Sequence, residues 1–487
     1  MEEEYQLTKS NFLDGLQCPL LLYQRVNDPN SIPPPNISAR LTMMQGQEVG
    51  KAARSRFPGG VLVDRTPWTT IVSRTREVLE TGVLAIFEGG FLFDGVMVQP
   101  DILEQDPSGY HLIEVKQSSR VKEEHIPDLA IQKHVLINCG FDPLKTSLMH
   151  LNSDFRHPDS GELFKIEDVS KPVDEFLERV PGLMEEFVSV LKQPGCPGVR
   201  IGPHCRSPHD CPLQPDCWSD IPPLSVLNIP GLRWNKRFDL YDEGIVHVGD
   251  LPRQYKLNEA QLRFVQSCNE GKPIIFKDEI AEELAGLEKP LFFMDFETMN
   301  WAIPRYCGTR PFQQIPFQWS VHVLDDGRLT HMEYLQNDAE DRRLEFLDTL
   351  LEAVGTSGSI VVYNKRFENG ILKDLAATFP RYRERIDGVV ERVWDQLDMF
   401  KRFYSDSRFL GSNSIKNVLP VLVPDLRYDS LTGVHEGTEA QAAFVEMVRT
   451  IDDDRKAQLR SQLLDYCKLD TLAMVEIHRV LADISKG

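Results

Sequence analysis

The alternation of apolar and polar positions divides the chain into three zones. In the first, residues 1–222, FLFDGVMVQPDILEQ and YHLIEVKQSS read as two strands joined by a turn at DPSG, where Pro and Gly break the pattern. EEHIPDLAIQKHVLINCG then has helical periodicity and ends at Gly140. The second zone, residues 223–286, alternates short helical patterns with glycine turns; IPGLRWNKRFDLYDEGIVHVGDLP predicts a turn, a helix, a second turn and another helix near Leu251. The third, residues 287–487, opens on LFFMDFE, the pattern of a buried strand. VHVLDDGRLTHMEYL predicts a hairpin turning at DDG, GSIVVYN another strand and FENGILKDLAATF a helix. A long helix is predicted from about Arg455 to Ala482. Strands and helices alternate in both outer zones, so the expected fold class is multidomain α/β. The Cys- and Pro-rich stretch GPHCRSPHDCPLQPDCWSDIPP marks the end of the first zone, because its prolines can continue neither a helix nor a central strand.

Composition narrows the functional classes. The chain has 487 residues, 41% hydrophobic and 26% charged, enough for several packed cores. Its net charge of −20 is shared by both halves, which argues against tight non-specific duplex binding through bulk charge. Carboxylates that hold divalent metals would contribute to the same imbalance. No run reaches the roughly 18 apolar residues of a membrane span. The start, MEEEYQLTKS, has no apolar segment of a secretion signal, so a cytoplasmic protein without membrane association is expected. The nine cysteines are an odd number for a disulfide framework, and three of them, Cys205, Cys211 and Cys217, crowd into thirteen residues as a metal or cluster site would.

Two constellations carry candidate chemistry. In the first, Asp101 follows one strand, and Glu114 and Lys116 lie two apart on the next, so they share a face. Hairpin pairing brings Asp101 beside them. Two carboxylates can hold a divalent metal that activates water, and a lysine can steady charge on a phosphate. Gln132 on the following helix can orient the lysine or a phosphate. Taken alone, the pattern also fits an exposed hairpin with ordinary surface charges.

In the second constellation, Asp295 and Glu297 sit two apart on a buried strand, which is costly unless something neutralises them. A metal pair does so. VVYNKRFENG places Glu368 at a strand-to-helix turn, and DYCKLDT places Tyr466 and Asp470 four apart on one helix face. Any one of these acids alone also fits a helix cap or a surface charge.

Cys18, far upstream, and the three downstream cysteines flank the Asp…Glu-x-Lys core in an order that resembles the RecB-type PD-(D/E)XK nucleases carrying an iron–sulfur cluster. The resemblance covers about residues 7–220. It implies a restriction-endonuclease-like domain with Asp101, Glu114 and Lys116 as nuclease motifs, Gln132 as the helical glutamine, and one or two divalent metals. It also implies that Cys18, Cys205, Cys211 and Cys217 ligate a structural 4Fe–4S cluster. Four thiolates suit zinc as well, although the C-x5-C-x5-C spacing is unlike a C-x2-C knuckle. Where relatives carry a metal-binding histidine in G-x-x-x-H, this chain has Gly50, with Glu48 as a substitute ligand; where they carry a tyrosine after the glutamine, it has Leu136.

The second constellation resembles the DnaQ-like, or DEDD, 3′–5′ exonucleases of RNase H-like fold, over about residues 290–482. Asp295 and Glu297 match D-x-E; Asn364, Phe367 and Glu368 match N-x-x-[FY]-D with Glu for Asp; Tyr466 and Asp470 match the Y-x3-D of the tyrosine variant. Asp374 is a fallback for Glu368, and NSIKNVLP resembles the segment between the later motifs. The implied chemistry is hydrolysis with two Mg²⁺ or Mn²⁺ ions, about 4 Å apart. Asp295, Glu297 and Asp470 would lie on the nucleophile side, Asp295 bridging and Glu368 on the second ion. Tyr466, with an ordinary pKa near ~10, would orient the attacking water rather than act as a base. Phe296, Met299 and Trp301 can wedge or stack on a terminal base, or equally belong to the core, and alternation favours the core for Phe296. The whole layout resembles a bacterial two-nuclease family.

The middle zone has the cadence of helix-hairpin-helix units, which offer backbone N–H groups to DNA phosphates, with Arg233, Lys236 and Arg237 nearby; a plain helical linker fits equally. The expected function is metal-dependent hydrolysis of single-stranded DNA or DNA ends, in repair, recombination or defence. No Walker A pattern occurs, so unwinding would need a helicase or another repair or defence protein. Two alternatives stand: an RNA 3′–5′ exonuclease, and a nucleic-acid-binding scaffold with one or both nuclease sites inactive.

Overall fold

The computed structural model describes residues 7–64, 68–158 and 160–486. The acidic start on which the expectation of no secretion signal rests falls largely on residues 1–6, outside the described residues. The chain is mixed α/β and folds as two compact units. The first comprises residues 1–219 together with 301–313; the second comprises 220–300 and 314–487, so the helices and turns of 223–286 belong to the second unit. Among the described residues, no helix is long and apolar enough to cross a membrane.

The first unit is built on a six-stranded mixed sheet of β1 (Val61–Leu62), β2 (Ala85–Phe87), β3 (Ile102–Asp106), β4 (Gly109–Lys116), β5 (Pro143–Leu151) and β6 (Phe164–Asp168), adjacent in that order. Around it lie α1 (Lys9–Gln17), α2 (Ile37–Arg54), α3 (His125–Asn138) and α4 (Val180–Lys192). The β3–β4 hairpin turns at Pro107–Ser108, and α3 gives way to Gly140 at φ +89°, a left-handed position that suits glycine. The stretch expected to be one strand, residues 91–105, is three. It breaks at Asp94 and Gly95, both at positive φ, which close a hairpin between Phe91–Phe93 and Val96–Val98. An Asp-Gly pair inside an apolar run is a two-residue hairpin turn, and it outweighs the continuity of the hydrophobic pattern.

The second unit carries a five-stranded sheet of β7 (Leu291–Asn300), β8 (Gln314–Asp325), β9 (Arg328–Leu335), β10 (Ile360–Val362) and β11 (Val393–Asp395), in spatial order β9-β8-β7-β10-β11. The first three strands in sequence pair antiparallel; β10 and β11 run parallel to β7. The β8–β9 hairpin turns on Asp326 and Gly327, both at positive φ. Strand β7 shows period-2 alternation. Phe292, Met294 and Phe296 enter a core shared with Phe346, Leu350, Ile371 and Leu375. Leu291 and Phe293 pack on the opposite face against Met474 and Val475 of the last helix. That helix runs Asp453–Ile484, close to its expected bounds.

In the middle zone, a helix does form over Trp234–Asp242, between turns at Gly231 and Gly244. The helix expected near Leu251 is only a 3-10 turn, Val248–Asp250; the next α-helix starts at Glu259 behind an Asn258 capping box. Pro252 follows too closely for a helix to grow past Leu251.

Candidate active site

The alternation of β7 that buries Phe296 turns Asp295 and Glu297 to the face covered by the last helix. On that helix, Tyr466, Cys467 and Asp470 fall within a turn of one another and are buried. One ligand atom each of Asp295, Glu297 and Cys467 lies within 4.8 Å of the others, and the Cys467 thiol donates to Asp295 Oδ2 at 3.6 Å. Glu368 arrives from the first turn of the helix Lys365–Thr378. Its entry is set by Asn364, held at φ +92° while Asp395 accepts the N–H groups of Asn364 and Lys365 at 2.9 and 3.1 Å. Glu368 is 2% exposed, it repels Asp295 electrostatically, and among the described residues its Oε2 has no hydrogen-bond partner. The fallback Asp374 lies six residues further along the same helix, about 240° around it.

Burial dominates the electrostatics. It pushes the carboxyls of Asp295 and Glu368 well above the ordinary range, and Asp470 and Asp295 respectively push them further. Glu297 is raised by burial and then by Asp295, with Lys416 opposing. Asp470 is raised to about 6 by burial, against the relief given by Tyr428, Lys416 and Tyr466. The Tyr428 hydroxyl donates to Asp470 Oδ1. Both tyrosines have pKa values driven up by burial and by Asp470, so each stays a protonated donor.

The sequence reading missed Tyr428, Lys416 and Cys467. Lys416 lies in the flagged segment NSIKNVLP, with its ammonium 5.7 and 5.8 Å from the rings of Tyr428 and Tyr466. Beside these groups, a cleft of about 530 Å³ is lined by Lys416, Arg427, Tyr428 and His435, with Asp429, Glu436 and Glu439 on its walls. Phe296, Met299 and Trp301 take the core alternative rather than stacking on a terminal base. Phe296 packs edge-to-face on Phe346, Met299 is 1% exposed, and Trp301 is buried under the Arg305 guanidinium in the first unit.

In the first unit, β3 and β4 pair Ile102 with Ile113, so Asp101 falls opposite Glu114. Asp101 Oδ2 accepts the Val115 N–H at 2.8 Å. Gln132 donates to Glu114 Oε2 at 3.0 Å, and Lys116 contacts Glu114 Oε1 at 2.8 Å. The structure therefore brings Asp101, Glu114, Lys116 and Gln132 together. It adds two residues the sequence reading missed, Asp128 and Lys9. Asp128 stands one turn before Gln132 on α3, a spacing that could have flagged it. Lys9 contacts Glu114 Oε1 at 2.7 Å and Asp128 Oδ1 at 3.1 Å. Burial would raise the pKa of Glu114, but Lys116 and Lys9 outweigh it and hold this carboxyl below its usual range. Burial, then Glu114, lifts Asp101 to about 7. Glu48 is not turned to these acids as a ligand: both its oxygens accept from Arg305, at 3.1 and 2.9 Å.

Cys18, Cys205, Cys211 and Cys217 line one small pocket. Gln17 fastens α1 to the cysteine loop through the carbonyls of His204 and His209, at 2.9 and 2.7 Å. Burial raises the thiol pKa values of Cys18, Cys211 and Cys217, that of Cys211 to about 11. Among the described residues, no three of these four sulfurs come within 4.8 Å of one another.

Comparison with known proteins finds likeness over part of the second unit and to relatives of modest identity. A model described as a domain of unknown function, DUF2779, matches residues 292–414, which include Asp295, Glu297 and Glu368 but stop short of Asp470. The chain is 27% identical over 242 residues to the "Uncharacterized protein MG366 homolog" of Mycoplasma pneumoniae, covering 45% of this chain and 36% of that protein. It is 25% identical to "Uncharacterized protein MG366" of Mycoplasma genitalium over 46% of this chain and 36% of the relative. It is 26% identical to "Uncharacterized protein UU173" of Ureaplasma parvum over 40% and 31%. The match thus spans about a third of the length of these curated relatives.

Proposed function

We propose that the chain is a metal-dependent nuclease that hydrolyses phosphodiester bonds at the 3′ end of single-stranded DNA or of DNA tails, with its hydrolytic centre at Asp295, Glu297, Glu368 and Asp470. The observation that carries this reading is the Glu368 carboxylate: buried, beside Asp295, with an oxygen that no group among the described residues satisfies. An unpaired buried carboxylate costs several kcal/mol by order of magnitude, and Asp295 repels Glu297 and Glu368 and is itself repelled by Asp470, with Lys416 opposing at Glu297 and Asp470. Oxygen donors converging in this way fit hard divalent cations such as Mg²⁺ or Mn²⁺. Bound there, such ions would neutralise charge on the phosphate and make water a stronger nucleophile.

The remaining roles belong to the chain's own side chains. While Tyr466 stays protonated close by, Tyr428, locked in its protonated form, donates to Asp470 and fixes its orientation. The Cys467 thiol does the same for Asp295. Lys416 supplies positive charge beside Asp470 and Glu297, at the edge of the cleft where a strand's phosphate would lie. A flexible single strand suits this site, because its last phosphate must reach a recess rather than a groove-wide surface.

The strand order, three antiparallel strands continued by two parallel ones, supports an RNase H-like reading of the second unit. The mixed sheet with Asp101 facing Glu114 supports a restriction-endonuclease-like reading of the first. With only a 3-10 turn where the second helix of a hairpin was expected, the middle zone is read as the plain helical linker. Cys18, Cys205, Cys211 and Cys217 would hold a 4Fe–4S cluster that fastens the start of the first unit to its end. That all four line one small pocket supports a shared metal or cluster, with one zinc as the alternative.

The test is cleavage of end-labelled single-stranded DNA and RNA with Mg²⁺. Wild type should shorten DNA from the 3′ end; Asp295→Ala should lose at least ~10³-fold and Glu368→Gln at least ~10-fold. Undiminished cleavage by Asp295→Ala sinks the assignment of the centre, and a tenfold preference for RNA sinks the assignment of the substrate.

A further inference from the structure

The acid cluster of the first unit differs from that of the second in one respect: both oxygens of Glu114 and of Asp128 are taken. Glu114 Oε1 meets the ammonium groups of Lys9 at 2.7 Å and Lys116 at 2.8 Å, while Oε2 accepts from Gln132. Asp128 Oδ1 meets Lys9 at 3.1 Å and Gln132 at 2.9 Å; Oδ2 meets Lys116 at 2.5 Å. Both carboxylates are 2% exposed. Asp101 spends an oxygen on the Val115 N–H. Three acids therefore meet two internal cations, where the second unit leaves Glu368 Oε2 without a partner among the described residues.

A divalent cation needs carboxylate oxygens not already engaged, and at Glu114 it would be pressed against two ammonium groups. Like charges ~4 Å apart repel by several kcal/mol at an effective dielectric near 20. The other ligands the motif would supply do not compensate. Glu48 is bound to Arg305, and Gly50 offers no side chain, with nothing within 4 Å of where its Cβ would stand.

Nor is Lys9 a loose side chain that merely drifted in. It opens α1, which Thr8 caps by accepting the Asn11 N–H at 3.2 Å. Further along α1, Phe12 packs edge-to-face on Phe187 at 5.3 Å. Gly15 lets the same Phe187 ring approach so closely that a Cβ would lie 2.9 Å from it. The helix is thus seated on α4, and its seat places the Lys9 ammonium between Glu114 and Asp128.

We infer that Lys9 is a built-in counter-cation: it fills the place a divalent ion would take at Glu114 and Asp128, so the Asp101–Glu114–Lys116 constellation holds no metal. This rests on the proposed four-acid centre only in taking that centre as the chain's metal-binding site.

The test is Mn²⁺ binding to the full chain, counted by equilibrium dialysis at fixed free Mn²⁺. Glu114→Gln should bind as many ions as wild type. Lys9→Met should gain one ion per chain, and Lys9→Met combined with Glu114→Gln should lose that gain. Lys9→Gln repeats the gain with a polar side chain should the methionine variant fail to fold. Loss of a bound ion in Glu114→Gln alone overturns the inference, as does the absence of any gain in both Lys9 variants. Asp295→Asn separates the two readings: if it binds as many ions as wild type, the four-acid centre is wrong, while the Lys9 arms still decide the first unit.

Discussion

Replacing Asp470 with asparagine should stabilise the metal-free protein while destroying its metal site, and the size of the effect follows from burial. Asp470 is 8% exposed and its pKa is lifted from 3.8 to about 6, first by burial. A carboxyl whose folded pKa lies above its unfolded value holds its proton more tightly when folded. The penalty is therefore absent below about pH 3.8, grows between 3.8 and 6, and is complete above 6. A lift from 3.8 to about 6 corresponds to about 3 kcal/mol at pH 8, and to roughly half of that at pH 5. Asparagine never ionises and keeps an oxygen for the Tyr428 hydroxyl. In EDTA, Asp470→Asn should outlast wild type by a margin that roughly doubles from pH 5 to pH 8. At ~2–4 °C per kcal/mol for a unit of this size, the melting temperature should rise by ~6–12 °C at pH 8. Added Mg²⁺ should raise the wild-type melting temperature and close the gap, because bound ions replace the missing counter-charge. The assay is thermal unfolding by circular dichroism at both pH values, with and without metal. A margin that does not change with pH, or a variant less stable than wild type at pH 8 in EDTA, would refute the account of Asp470 as a buried charge lacking compensation.

Two further outcomes test other parts of the molecule. Wild type purified without oxygen should be brown and contain four iron and four acid-labile sulfide per chain, and Cys211→Ser should lose the colour; a colourless wild type with stoichiometric zinc would replace the cluster by zinc. Gly411→Ala should cost at least about 3 kcal/mol in denaturant unfolding, because this residue sits at φ +77° and a Cβ would fall 1.7 Å from the Asn228 carbonyl oxygen. An alanine variant within 1 kcal/mol of wild type by the same measurement would contradict that close approach.

What could be read along the chain was whatever depends on near neighbours. Asp295 and Glu297 share a face because a strand alternates, and Tyr466 and Asp470 do because a helix repeats every four residues. The hairpin at Asp326-Gly327 and the end of α3 before Gly140 follow from turn and cap chemistry. The same kind of rule, applied to Asp94-Gly95, would have broken the strand that hydrophobic continuity suggested. Tertiary structure alone decided which charges meet. Lys9 reaches Glu114 across 105 residues, and Tyr428 reaches Asp470 across 42. No periodicity links such positions, since each contact depends on where two separately packed elements come to rest. So the chain by itself determined that it carries two sets of acids on strand and helix faces. Only the folded molecule decided that one set is neutralised by its own lysines while the other keeps a carboxylate oxygen with no partner among the described residues, because compensation of a buried charge is set by distance in space and not by distance along the chain.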